Sequence, residues 1–316
     1  MTEAPQQGAI LFYSEFDDPE EWRGHLRELA PWLDFRVWPD VGDPADIEWA
    51  LVWKPPPGEL RRFPNLRLIV NLGAGADSIL ADRTLPEHVP ICRIVDPEMG
   101  RMMAQFALLA VMRHHRDFVS FERAKRQAEW RYIHPKPASA VRVGVMGLGS
   151  LGREAAALIA SMGYRVAGWS RSPKRLEGID TYAGQEELGA FLARSDILIS
   201  LLPLTEETRD LIGRDVFSRL PRGAVFISLG RGHVVDEDAL VEALRSGQVG
   251  EATLDVFRQE PLPKEHPFWA MEQVMITPHL ASVAMAATSA PQVVENLLRT
   301  RAGQPPLNEV DRRKGY

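Results

Sequence analysis

The sequence predicts an α/β protein built from two doubly wound parallel-sheet domains. Three observations predict it: a length of 316 residues, roughly two domains' worth; strands alternating with helical segments over the first hundred residues; and six apolar bursts in the second half, most separated by helical patterns.

In the first series "AILFYSE" (Ala9–Glu15), "DFRVW" (Asp34–Trp38), "ALVW" (Ala50–Trp53) and "LRLIVNLG" (Leu66–Gly73) read as short strands. Polar, helix-compatible stretches such as Pro19–Leu33 lie between them, and the proline-rich "WKPPPGEL" is a loop because proline cannot join a central ladder. One long helix is expected over Gly100–Arg126. Then come "VRVGVMGLG", "RVAGWS", "ILISLLP", "AVFISLG", "EATLDVF" and "VMITPH", the cadence of a six-stranded doubly wound sheet.

Composition sets bounds. The chain is 45% hydrophobic and 25% charged, an ordinary globular balance. A net charge of −6 disfavours broad phosphate neutralisation, so no nucleic-acid partner is expected. Cys92 is the only cysteine, which excludes an internal disulfide and a cysteine-rich zinc site. No metal site is expected. Neither a secretory signal nor a membrane-spanning run is evident, so a soluble, cytoplasmic protein without a membrane partner is expected.

"VGVMGLGSLGREAAALIASMG" sets Gly147, Gly149 and Gly152 in G-x-G-x-x-G register between a strand and an Ala-rich helix. The first glycine permits a tight turn, the second admits a pyrophosphate and the third lets helix and strand pack. The helix N-terminus offers N–H groups and partial positive charge to phosphates. A dinucleotide is therefore expected. Where the fingerprint usually carries an acid, "GWSRSPK" delivers Ser170, followed by Arg171, Ser172 and Lys174. A carboxylate there would repel a 2′-phosphate, whereas a hydroxyl and a guanidinium would bind one. The expected cofactor is NADP, with NADPH preferred and NAD possible. The alternative is a set of basic residues on a solvated turn.

"ISLGRGHVVDEDAL", "EATLDVFRQEPLP" and "MITPHLAS" each follow an apolar strand, which places Arg231, Glu260 and His279 where ligands bind in an open α/β sheet. An Arg for a carboxylate, a His to move a proton and a Glu to hold the His protonated suit reduction of a 2-oxo acid. The bland alternatives are a strand-capping histidine and an ordinary loop acid.

With the glycine fingerprint, "LLPLTEETRDLIG", the Arg-Gly of "LGRG", "LDVFRQEP", "TPH" and "NLGAGADSI", the chain resembles the D-isomer-specific 2-hydroxyacid dehydrogenase family over essentially its whole length. "ALVWKPP", "LGAGADSIL", "EMGRMMAQFAL" and "GWSRSPK" are similar to its glyoxylate/hydroxypyruvate reductase A group. The resemblance implies a Rossmann cofactor domain (98–284) and a flavodoxin-like substrate domain (1–97 and 285–316) with a cleft between them. It implies that Arg231 binds and polarises the substrate and that His279 is the acid/base. Glu260 would be the partner that favours the protonated His279.

The resemblance further places Asp255 at the nicotinamide and Leu148, Ser150 and Leu151 at the pyrophosphate. Leu202, Pro203 and Thr208 would flank the adenosine, and Trp169, Leu229, Gly230 and Met103 would border the cofactor. Gly73, Ala74 and Gly75 would bind the substrate carboxylate, with Trp53 closing over a small substrate, although buried packing explains Trp53 as well. Two features depart from the family pattern: Leu229–Gly230 before the catalytic Arg, where Gly230 would loosen the backbone, and the bulky Met102–Met103 pair.

Adjacent His114 and His115 cannot make an i, i+4 metal pair and are expected at the surface or in the cleft. His233 reaches solvent as readily as substrate. "FERAKR" reads as a solvated helix face, and "MMAQFALLAVM" as core or as the contact of the homodimer that the family implies. The expected reaction is NADPH-dependent reduction of glyoxylate and hydroxypyruvate. The alternatives are a reductase of a larger 2-oxo acid (2-ketogluconate or an aryl-pyruvate) and a non-catalytic NAD(P)-sensing binding protein.

Overall fold

The structure, a computed structural model, describes residues 8–313 and 315. The first stretch runs β1 (Gly8–Tyr13), α1 (Pro19–Leu29), β2 (Leu33–Val37), β3 (Ile47–Val52), β4 (Leu68–Asn71), α2 (Asp77–Leu80) and β5 (Ile91–Arg93). Two helices follow, α3 (Pro97–His115) and α4 (Phe118–Arg126). The second stretch opens with β6 (Arg142–Met146), α5 (Ser150–Ser161), β7 (Arg165–Ser170), β8 (Asp180–Ala183), α6 (Gly184–Ala193) and β9 (Ile197–Ser200). It continues through α7 (Arg214–Arg219), β10 (Ala224–Ser228), α8 (Glu237–Ser246), β11 (Val249–Leu254) and β12 (Val274–Ile276) to α9 (Ala286–Arg301).

The chain divides into two compact units, residues 1–99 with 283–316, and residues 100–282. In the first, a five-stranded parallel sheet has the order β2-β1-β3-β4-β5, the flavodoxin-like winding. Its central strands are buried on both faces, which is why they read as unbroken apolar runs and not as alternation. Asp18 caps α1 by accepting from the Glu20 N–H, Pro19 opens the helix, and Trp22 and Leu26, four apart, bury one face. One face of the sheet packs with α1 and α9 around Phe12, Trp49 and Leu297.

The second unit holds a seven-stranded parallel sheet in the order β12-β11-β10-β9-β6-β7-β8. Strand order reverses at β6/β9, so the C-terminal ends of these two strands flank the topological switch point. One face buries Phe191, Phe217 and Phe226, and the other buries Val145, Ala155 and Ile199. Helix α8 is punctuated by the Asp236 cap, which accepts from the Ala239 N–H, and by Gly247 in the left-handed region.

Two expectations change. The sheet has a seventh strand, β8, and the first sheet a fifth, β5; both are short edge strands. The single helix over 100–126 is two helices, broken at Asp117, whose φ of +59° lies in the left-handed region that Asp tolerates better than most residues.

Candidate active site

The glycine turn joins β6 to α5. Gly147 has φ +99° and its N–H donates to the Trp169 carbonyl at 2.8 Å. A Cβ on Gly152 would lie 1.8 Å from the Gly147 oxygen, so backbone contact demands that glycine. Gly149 differs. Its φ of −72° suits any residue, and nothing lies within 4 Å of where its Cβ would be. Neither the turn nor the packing requires a glycine there. Gly149 is exposed at the start of α5, where no side chain caps the first N–H groups. A residue without a side chain beside open helix N–H groups leaves room for a pyrophosphate.

At the end of β7 the buried Ser170 hydroxyl donates to the Ser172 carbonyl at 2.8 Å. Arg171 pairs with Glu207 at 2.6 Å, both largely exposed. Such a pair contributes only about 0–1 kcal/mol, so an arriving phosphate can displace the carboxylate. Lys174 is exposed in the same turn, and its carbonyl accepts from Thr181. Opposite, the Thr208 hydroxyl donates to the Pro203 carbonyl at 2.7 Å and accepts from the Thr205 N–H, closing a 203–208 turn.

Several side chains expected at the cofactor lie in the core, so any contact they make with it is through the backbone. The Trp169 ring belongs to the core, with its indole N–H on the Gly184 carbonyl, and only its backbone meets the glycine turn. Met103, Leu148, Leu202 and Leu229 are likewise buried core side chains. Gly230 does not loosen the backbone: a Cβ there would come within 2.6 Å of the Leu202 carbonyl oxygen, so this glycine serves a close approach.

Arg231, Asp255 and His279 follow the C-terminal ends of the adjacent parallel strands β10, β11 and β12. Arg231 donates to the Gly230 carbonyl at 2.9 Å. His279 Nδ1 lies 2.9 Å from Glu260 Oε2, and Glu260 Oε1 accepts from the Phe257 N–H at 3.1 Å. A carboxylate only accepts, so Nδ1 carries the hydrogen and Nε2 is the nitrogen left for proton exchange. Asp255, expected at the nicotinamide, is 1% exposed and holds the histidine loop. Its carboxylate accepts from the Thr277 hydroxyl (2.6 Å) and from the N–H groups of Leu280 and Ala281 (both 3.0 Å). Its carbonyl accepts from the His279 N–H at 2.8 Å. These bonds straddle a residue whose φ is +55°.

In the other unit, Trp53 is half-buried against the core and its ring lies 2.1 Å from where a Cβ on Gly73 would be, so the indole and the 73–75 loop are packed together. Two residues of this region escaped the sequence reading, Asn71 and Arg93, whose side chains bond to that loop. Burial lowers the pKa of Arg93, yet a guanidinium remains charged. The expectation for His114 also fails. Its side chain is fully buried, with Nδ1 2.6 Å from Glu251 and Nε2 2.8 Å from Thr253, tying α3 to β11. His115 bonds Tyr164 and the Lys136 carbonyl. "FERAKR" is mostly exposed, and its Arg123 and Arg126 pair with Glu272. Among the described residues no group of three His, Cys, Asp or Glu side chains is placed to hold a metal, and no helix is long and apolar enough to cross a membrane.

Residues 108–281 match the family model for the NAD binding domain of D-isomer specific 2-hydroxyacid dehydrogenases. The chain belongs to this family. A glyoxylate/hydroxypyruvate reductase A of Serratia proteamaculans is 39% identical over 312 residues, covering 97% of this chain and 99% of that protein. A family member from Xanthobacter autotrophicus, crystallised with NADPH and MES, superposes with a TM-score of 0.93 at 52% identity, covering 98% of this chain and all of the other. The NADPH-dependent glyoxylate/hydroxypyruvate reductase of Sinorhizobium meliloti, crystallised with NADP and sulfate, gives 0.92 at 35% identity over 98% of this chain and all of that one.

Proposed function

We propose that this family member is an NADPH-dependent reductase of small 2-oxo acids, converting glyoxylate to glycolate and hydroxypyruvate to D-glycerate. The observation that carries the reading is the His279–Glu260 pair, set one strand beyond Asp255 and two beyond Arg231. It is supported by the relatives' names and by the crystallised NADPH and NADP complexes. The cofactor assignment also fits the open space at Gly149 and the serine and arginine that stand where an acid would favour NAD.

When bound, the reduced nicotinamide supplies the hydride to C2 of the oxo acid. His279, protonated and oriented through Nδ1 by Glu260, delivers the proton from Nε2 to the oxygen that becomes the hydroxyl. Arg231 binds the substrate carboxylate and stabilises charge developing on the carbonyl oxygen. Backbone N–H groups at Ala74 and Gly75 are assigned to a substrate carboxylate, and Trp53 to walling in a short substrate. Asp255 acts through the histidine loop. The first compact unit, residues 1–99 with 283–316, is assigned as the substrate-binding domain and the second, residues 100–282, as the cofactor domain, each boundary two residues from the expected one. The working unit is a homodimer: Leu109 and Met112 on α3, Phe118 and Phe121 on α4, and the 99% exposed Trp130 offer apolar surface for a second copy.

The test is to follow NADPH absorbance after adding glyoxylate or hydroxypyruvate and to resolve the hydroxypyruvate product on a chiral column. Loss of absorbance with D-glycerate as product is expected. L-Glycerate, or no consumption of NADPH with either oxo acid, would overturn the reading.

A further inference from the structure

The loop after β4 is organised by two side chains that have no part in the proton transfer. Asn71 and Arg93 are register partners at the carboxyl ends of β4 and β5. Asn71 is fully buried, and its amide nitrogen donates to the carbonyls of Gly73 (2.9 Å) and Gly75 (3.0 Å). Arg93 Nη1 donates to the carbonyl between them, Ala74, at 3.3 Å. Three consecutive carbonyls are thereby drawn to one side. A trans peptide sets its C=O and N–H on opposite edges, so the N–H groups of Ala74, Gly75 and Ala76 point away from Asn71 and Arg93. Among the described residues none of these three N–H groups is hydrogen-bonded.

The Asn71 amide keeps this orientation at a cost. Its Oδ1 is buried and has no partner among the described residues. An unpaired buried acceptor is unfavourable, and an apolar side chain of the same size would avoid it. Turning the amide over would set Oδ1 against two carbonyl oxygens. What the position retains is the donor edge.

We propose that Asn71, with Arg93 beside it, is a positioning residue for the substrate carboxylate. By holding the carbonyls of residues 73–75 inward, it presents the N–H edge of the loop to the anionic end of a 2-oxo acid. The inference rests on the reading above that this loop takes the carboxylate. Asn71 touches no reacting atom. An Asn71→Asp change keeps the size of the side chain but turns a carboxylate toward the same carbonyls, so the loop peptides must rotate. Arg93→Met removes the third donor.

The test compares the full-length protein with N71D and R93M, using glyoxylate and its methyl ester as substrates at saturating NADPH. NADPH affinity is measured separately by fluorescence titration. For N71D, kcat/KM on glyoxylate should fall about tenfold or more, mainly through KM, the scale of a lost hydrogen bond to a charged group. The ester, which lacks the carboxylate, and the NADPH affinity should each change by less than about threefold, so the preference for acid over ester collapses. R93M should shift the same ratio in the same direction, and it decides the matter if N71D does not fold. An unchanged acid-to-ester ratio, whether both rates fall together or neither moves, would overturn the proposal. Wild-type protein that reduces neither compound would instead remove the reading on which it rests.

Discussion

At the scale of single residues, His279 is held from two directions. Glu260 fixes its Nδ1, and Asp255 bonds the backbone on either side of a left-handed φ. Asparagine tolerates that backbone region and lacks the acid, so His279→Asn removes the proposed proton donor with the least disturbance of the loop. The expected outcome is an unchanged NADPH affinity with kcat lowered about 10²–10⁴-fold, as for loss of a general acid, measured by titration and steady-state rates. A kcat within about threefold of wild type would take His279 out of that role. The histidine, its glutamate and the arginine were legible in the sequence as residue types after strand ends. The work of Asp255 was not, because its partners are a hydroxyl and two backbone N–H groups more than twenty residues away, which no spacing rule reports.

At the scale of elements, the glycine turn separates two reasons for the same residue. Gly152 is there for backbone that would lie 1.8 Å from a Cβ, whereas Gly149 faces open space. Gly152→Ala should therefore destabilise the fold, by about 1–3 kcal/mol as overpacking does, while Gly149→Ala should melt like wild type yet bind NADPH more weakly. Thermal melts paired with cofactor titration check both halves. The β6–β9 junction carries a pH-dependent tie. Burial pushes the Asp196 carboxyl up, but hydrogen bonds from the Arg142 side chain and backbone, with the guanidinium charge, bring it below its ordinary value of 3.8. A carboxyl depressed in the folded state stabilises above its unfolded pKa and loses that contribution as pH falls through the folded value. Asp196→Asn should thus lower the urea midpoint at neutral pH, and the gap to wild type should close as pH is taken below the ordinary carboxylate value of about 4. A gap that stays constant would contradict the assignment. The apolar strands were readable from pattern, whereas β5 and β8 were not. "ICR" and "DTYA" are short edge strands without an apolar run, and their pairing is set by neighbouring strands. The α3–α4 break was hidden for a related reason, since the apolar face of the helix runs past a single left-handed Asp117.

At the scale of the whole molecule, the two sheets have different windings, and α9 returns the chain to the first unit. Pattern alone divides the chain once; the return of the C-terminal helix followed from the family resemblance. His114 shows the converse limit. A histidine pair in a helix looks polar on paper, but Glu251 and Thr253 on β11 make one of its members a buried tie. NADPH-dependent reduction of a 2-oxo acid is the proposed reaction, with Ser170 and Arg171 selecting the cofactor at its 2′-phosphate. Initial rates on glyoxylate with NADPH and with NADH, at matched sub-saturating concentrations, test it most directly. Strong preference for NADPH is predicted, and it should shrink in Arg171→Ala. Equal or faster rates with NADH would contradict the cofactor assignment, and no rate with either would contradict the proposed reaction.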